Sequence, residues 1–208
     1  MKNVRELTKE INELIFQGLP GAKAHSKMLP EGRLLTVSSR YRKSAVLILL
    51  YPKSGKWNTV FIKRNQYDGP HSGQISLPGG KKIDEDKTLL NTALRETFEE
   101  TGVKAGDSYI ALPLTPLHIP VSGFVVHPFI AVLDFTPTFN PEPNEVEYLI
   151  EVSLQKLKDP SVLKIKKMPI RGMEVNVPYY DIQGEVIWGA TAMIVAEFLD
   201  LLGSIISD

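Results

Sequence analysis

Residues 79–103 read GGKKIDEDKTLLNTALRETFEETGV, and within them Glu96, Glu99 and Glu100 stand at i, i+3 and i+4. On a helix that spacing brings three carboxylates to one face. Stepping about 100° per residue sets Leu90, Ala93, Leu94 and Phe98 on the opposite side, which predicts one face on the core and one of concentrated negative charge. From Asp84 to Glu100 there are six acidic residues against two basic ones, Lys87 and Arg95. Carboxylates this close repel one another unless a cation sits among them. Oxygen donors, with no cysteine in the chain and no nearby histidine pair, suit Mg²⁺ or Mn²⁺ rather than zinc. An isolated ExxEE is more often a solvated helix face than a metal site. Here Gly79-Gly80 permit a tight turn and close backbone approach before the helix, and Arg95, one turn before Glu99, can hold its carboxylate.

The elements that must position these residues follow from periodicity. Val4, Leu7, Ile11, Leu14 and Ile15 predict an amphipathic helix over 3–17, stopped by Gly18, Pro20 and Gly21. SAVLILLY (Ser44 to Tyr51) reads as a buried strand, Pro52 to Lys56 as a turn, and TVFIK (Thr59 to Lys63) as the next strand. A polar, glycine-rich stretch through His71 and Gly73 leads to Gly79. Leu89 to Thr101 is the helix, closed by Gly102. PLTPLHIPVSG reads as loop, FVVHPFIAVLDF as strand and TPTFNPEPNE as a surface loop, with strand signals resuming at Tyr148. Ala190, Ile194, Phe198 and Leu201 form one stripe of a closing helix.

The whole chain has 208 residues, 43% of them apolar, with Lys plus Arg and Asp plus Glu both at 24. That suits one mixed α/β domain with a sizeable core, and the zero net charge argues against broad nucleic-acid binding. Absent cysteine excludes disulfides, thiolate metal sites and a Cys nucleophile. The charged start is unlike a signal peptide, and no uncharged run approaches the roughly 18 residues of a membrane span. A cytoplasmic location is expected. A homodimer is compatible with the sequence.

Arg95-Glu96-Thr97-Phe98-Glu99-Glu100-Thr101-Gly102-Val103 resembles the REUXEEXGU half of the Nudix hydrolase signature GX5EX7REUXEEXGU, with Thr97 in the aliphatic slot. Gly80 to Arg95 is one residue longer than the general pattern. Lys87 stands eight residues before the Arg, where that pattern has its acid, so that Asp86 or Glu85 substitutes or nothing does. HSGQISLPGG (71–80), the longer box, the 114–124 and 143–147 segments and Ile187-Trp188-Gly189-Ala190-Thr191-Ala192 resemble the coenzyme A diphosphatase subfamily over roughly residues 44–200. Its Leu-Arg before the histidine is Asp68-Gly69 here, and its Phe is Leu77.

The resemblance implies an α/β (α+β) Nudix fold, a mixed sheet sandwiched between helices. Residues 1–30 are expected to be an N-terminal helical extension and 31–208 the catalytic domain. It implies Mg²⁺- or Mn²⁺-dependent hydrolysis of a nucleoside diphosphate derivative, coenzyme A giving 3′,5′-ADP and 4′-phosphopantetheine. ADP-ribose, NADH or dinucleoside polyphosphates are the rival substrates, and a non-catalytic nucleotide-binding module is the rival class. Glu96, Glu99 and Glu100 are the expected metal ligands. Arg95, Glu96, Glu99 and Glu145 are the expected catalytic residues, with the proton acceptor either Glu99 or a carboxylate of the Glu145/Glu147 loop. Arg64, His71, Gly73, Gly79 and Gly80 are expected to meet substrate, with Lys63 beside them. The partner is then a small nucleotide diphosphate, with neither nucleic acid nor membrane involved. His118 and His127 lack ligand spacing and are expected to be structural, and Trp188 and Met193 to pack in the core. If buried, the Thr97 hydroxyl should bond back to the carbonyl of Ala93 or Leu94.

Overall fold

A computed structural model describes residues 2–33, 41–66, 68, 72–105, 109–110, 112–170 and 172–203. In chain order the elements are α1 (Val4–Gln17), α2 (Gly21–Ser26), β1 (Arg42–Lys53), β2 (Lys56–Arg64), β3 (Ile75–Ser76), β4 (Gly79–Lys81) and α3 (Leu89–Thr101). There follow β5 (Tyr109–Ile110), β6 (Leu117–Ile119), β7 (Phe124–Val132), β8 (Val146–Ser153), α4 (Leu154–Lys158), β9 (Leu163–Ile170), β10 (Met173–Ile182), β11 (Glu185–Ile187) and α5 (Gly189–Leu202).

Helix α1 starts where the periodicity predicts. Asn3 and Glu6 form a reciprocal capping box, and Leu7, Ile11 and Ile15 are buried. β1 extends past its expected end. It pairs Pro52 with Trp57 and Lys53 with Lys56, so the hairpin turns only at Ser54-Gly55, both at positive φ as a tight two-residue turn requires.

β1 runs parallel to β7 from Arg42↔Phe124 to Leu50↔Val132, and antiparallel to β4 from Ser44↔Lys81 to Val46↔Gly79. β2 takes β8 and β3 as antiparallel neighbours, and β5 and β6 pair with β7, completing an eight-stranded mixed sheet. The buried alternation along β1 explains its layers. Ala45, Leu47 and Leu49 join Val60, Ala131 and Ala93 of α3 in one core. Ile48 and Leu50 join Phe61, Ile130, Leu7 and Ile11 of α1, and Phe198 of α5, in the other. This is the expected sheet between helices. Residues 113–123, read as loop, contain the short strand β6.

A second sheet, β11-β10-β9, carries no sequence expectation. Leu163 and Ile165 of β9 are exposed, so its alternation marks no buried face. Helix α5 is buried more widely than its single apolar stripe predicts, with every residue from Ala192 to Phe198 enclosed. Helix α5 is enclosed by the sheet core on one side and α2 on another, and Glu197 meets His25 of α2 at 2.9 Å. Met193 is in this core, while Trp188 is half-buried at the α5 N-cap.

Candidate functional site

Helix α3 is anchored at both ends by its own sequence. Thr88 and Asn91 form a capping box, and Gly102 closes the helix in the left-handed region at φ 75°. A side chain at residue 102 would also strike Asn140 at 2.9 Å. The face laid on β1 and β4 is only partly the expected one, since it includes Ala93 but not Phe98. Ala93, Thr92, Thr97, Glu100 and Thr101 are buried, Leu90 and Leu94 are half-buried, and Phe98 is 43% exposed with Lys104 over its ring. The reason is close packing: the helix lies on Ala45, Gly79 and Gly80, where only small or deeply engaged side chains fit. Thr97 bonds back to Ala93 O at 2.7 Å, as expected for a buried hydroxyl in the aliphatic slot.

The three glutamates share one side of α3 but have different partners. The Glu96 carboxylate presses on the Gly80 backbone so closely that a Cβ there would stand 2.3 Å from its Oε2. Gly79 sits at φ 147° with β1 backbone 2.3 Å from where its Cβ would be, so both glycines are sterically required. Glu100 is fully buried. Its Oε2 accepts the Gly79 N–H at 2.7 Å, and its Oε1 accepts Arg64 Nη2 at 3.0 Å. Burial pushes its pKa up to about 7. Arg64 and the Gly79 N–H oppose that rise, while the charges of Glu96 and Glu145 add to it. Glu96 is also raised, chiefly by burial, against the pull of Arg95 and with repulsion from Glu99 and Glu145. The side chain of Glu99 is half exposed and accepts Arg95 Nη1 at 2.8 Å.

Arg95 organises this edge. Its Nε and Nη2 donate to the two oxygens of Asp86 at 3.0 Å each, while Nη2 also reaches Glu96 at 2.9 Å and Lys81 O at 3.2 Å. Asp86 is buried and additionally accepts Thr92 Oγ1 and the Ile83 N–H. These bonds, the Arg95 bond foremost, hold its carboxyl well below the ordinary carboxylate range. Of the two acids the sequence left open before the helix, Asp86 is the one that clamps the arginine. Its signal was the departure itself, an acid displaced one position by a longer loop.

The remaining sequence-predicted residues divide. Arg64 lies against Glu100 and also donates to Gly79 O at 3.1 Å. Gly73, at φ 63°, returns the loop through its N–H to Asn65 O. His71 lies outside the described residues. Lys63 points to the other side of the sheet, paired with Glu185 at 2.9 Å, as alternation along β2 requires. His118 and His127 stand on β6 and β7, His118 edge-on to Tyr41.

Glu145 and Glu147 are separated by a register shift. Lys63 pairs with Tyr148 but Arg64 with Val146, so Glu147 is the extra residue of a β-bulge. The charge of Glu147 is felt at Lys63 and Tyr148, that of Glu145 at Glu96 and Glu100. Sequence reading missed Asn65. Its N–H donates to Glu145 O at 3.1 Å and its Nδ2 to Pro143 O at 2.8 Å.

The donors at this edge, carboxylate oxygens over a glycine backbone, fit a hard divalent cation. Among the described residues no three acidic or histidine side chains are already gathered around one point. Arg95 draws Glu96 and Glu99 one way, while Gly79 and Arg64 draw Glu100 another.

The NUDIX domain profile matches residues 41–170. Over 159 residues the chain is 30% identical to an uncharacterized Nudix hydrolase NudL of Photorhabdus laumondii, covering 76% of this chain and 84% of that one. Over 132 residues it is 33% identical to the peroxisomal coenzyme A diphosphatase ndx-8 of Caenorhabditis elegans, covering 62% of this chain and 56% of the relative. The fold is similar to that of the M. smegmatis Nudix hydrolase RenU, with a TM-score of 0.54 at 15% identity over 87% of this chain and 96% of that one. The chain belongs to the Nudix hydrolase family, enzymes that act on the diphosphate bond of nucleoside diphosphate derivatives and generally use divalent metals such as Mg²⁺ or Mn²⁺.

Proposed function

We propose that this enzyme hydrolyses coenzyme A to 3′,5′-ADP and 4′-phosphopantetheine, residues 31–208 forming the catalytic domain and residues 1–30 its N-terminal extension. The observation that carries the substrate is the 33% identity to a coenzyme A diphosphatase. Segments 71–80, 114–124, 143–147 and 187–192 support it. Asp68-Gly69, in place of the subfamily Leu-Arg, favours a second reading: a diphosphatase for ADP-ribose, NADH or dinucleoside polyphosphates.

In this reading Glu96, Glu99 and Glu100 hold Mg²⁺ or Mn²⁺. When bound, the cation neutralises diphosphate oxygens and lowers the pKa of a bound water. Arg95, braced by Asp86, sets the carboxylates of Glu96 and Glu99. Gly79 and Gly80 let the helix approach the strand closely enough for those carboxylates to meet a phosphate. Arg64 orients Glu100 and contributes positive charge beside the diphosphate. Glu145 accepts a proton from the attacking water as its oxygen bonds to phosphorus, the P–O–P bridge breaking with its electrons on the departing phosphate.

The test is product analysis with coenzyme A, dephospho-coenzyme A, ADP-ribose, NADH and dinucleoside polyphosphates, with Mg²⁺ and with EDTA. Mg²⁺-dependent release of 3′,5′-ADP from coenzyme A is expected, with a high KM. No cleavage of coenzyme A alongside cleavage of ADP-ribose would establish the second reading. Binding without turnover of any of them would make the chain a binding module.

A further inference from the structure

The bulge that divides Glu145 from Glu147 lies between the Lys63↔Tyr148 and Arg64↔Val146 pairs of β2 and β8, and Asn65 holds the turn that leads into it. Asn65 follows Arg64 at the end of β2 and engages the 142–145 turn twice, through its N–H to Glu145 O at 3.1 Å and its Nδ2 to Pro143 O at 2.8 Å. Its own carbonyl accepts the Gly73 N–H at 3.2 Å, so the same residue ties down the returning loop. The turn has internal order as well. Glu142 O accepts the N–H groups of Glu145 and Val146, and Glu142 Oε1 accepts Asn144 Nδ2 at 2.7 Å. These bonds fix the shape of the turn. Among the described residues, only Asn65 bonds its Pro143–Glu145 stretch to the strand that carries Arg64.

We propose that Asn65 is a positioning residue for hydrolysis, holding the 142–145 turn so that Glu145 rather than Glu147 faces the carboxylate edge of α3. This rests on the reading of Glu145 as proton acceptor. A bulge re-aims the side chains beside it, and the Asn65 bonds fix the turn on the Glu145 side of this one. The Nδ2 bond is the part of the pin that substitution can remove, because the backbone N–H remains in any variant except proline. Asn65 does not touch the reacting atoms, and its substitution leaves Arg64, Glu100 and the glycines in place.

The experiment is a double-mutant cycle of Asn65→Ala and Glu145→Gln on the full chain, reading kcat, KM and the Mg²⁺ concentration for half-maximal rate. Asn65→Ala should lower kcat about tenfold, the scale of one lost hydrogen bond at a positioning contact. KM should stay within about twofold and the Mg²⁺ dependence unchanged. In the Glu145→Gln background, itself slow, the same substitution should add no further loss. Asn65→Ser, which keeps a short donor, should recover part of the rate and substitutes for the alanine variant if that one does not fold.

Wild-type kcat in both Asn65 variants would overturn the proposal and leave Glu145 standing. An equal fold loss in both backgrounds would overturn it too, as would a shifted Mg²⁺ requirement, because either places the effect of Asn65 on the β2 end and Glu100. Wild-type turnover in Glu145→Gln alone would sink the proton-acceptor reading and the positioning role with it.

Discussion

Two glutamates among the described residues are fully buried, Glu100 in α3 and Glu197 in α5, on helices that cover opposite faces of the main sheet. Glu197 is satisfied. Its Oε1 accepts the N–H groups of Gly21 and Thr115, at 3.1 and 3.3 Å, and its Oε2 meets His25. Burial pushes its pKa up, yet His25 and Thr115 more than offset that, and it sits below the ordinary value. Glu100 has an arginine and one N–H, but two further carboxylates, Glu96 and Glu145, bear on it and its pKa is pushed up to about 7. Equal burial thus has opposite meanings. A buried acid whose donors are complete ties elements together, whereas one left among other acids carries a raised pKa.

The largest effect that tests this contrast is on stability. Glu197→Ala should cost on the order of 3–5 kcal/mol in urea unfolding, because it strands His25 and two N–H groups in the core. Activity per folded molecule should be unchanged. Wild-type stability would mean that α2 and α5 are held by their apolar contacts alone. The native pKa of Glu197 lies below its unfolded value, so its contribution is present above the ordinary carboxylate range and lost as the pH falls through the native value. Glu197→Gln should therefore unfold with a flatter acid limb than wild type.

Glu100→Gln should act the other way. Turnover should fall at least ~100-fold, about 2.7 kcal/mol of barrier, and Glu99→Gln should behave similarly if both hold the metal. A wild-type rate in either variant would show that residue to be merely packed or solvated. In EDTA the raised native pKa of Glu100 means that the folded chain binds a proton the unfolded chain has released. Wild-type stability should fall between the ordinary glutamate pKa and about 7, a slope that Glu100→Gln should reduce, the raised Glu96 keeping a part of it. Denaturation midpoints at pH 5 and 7 decide it.

The smallest effects concern the outer side of α3. Phe98→Ala should cost under about 1 kcal/mol, since the ring is 43% exposed and a full core truncation costs about 3–5. Thr97→Val should be neutral or mildly stabilising, because the hydroxyl bonds only a carbonyl one turn back. A loss of several kcal/mol in either variant would place that side chain in the core after all.

The sequence by itself determined the helices α1, α3 and α5, the strands β1, β2 and β7, and the run of acids on α3, because local periodicity, caps and glycines act within a few residues of one another. It also determined that Arg95 reaches Glu99, a one-turn relation. Tertiary structure alone decided which face of α3 is buried, because that depends on Gly79, Gly80 and Ala45 arriving from other strands to admit a small-residue contact. It alone decided that Asp86 clamps Arg95, that a bulge separates Glu145 from Glu147, and that Asn65 pins the turn. The role of the buried Glu197 is also decided only in three dimensions, since its partners His25 and Gly21 lie 172 and 176 residues away. Charges and hydrogen bonds depend on distance in space, and a linear pattern reports that distance only where the backbone repeats.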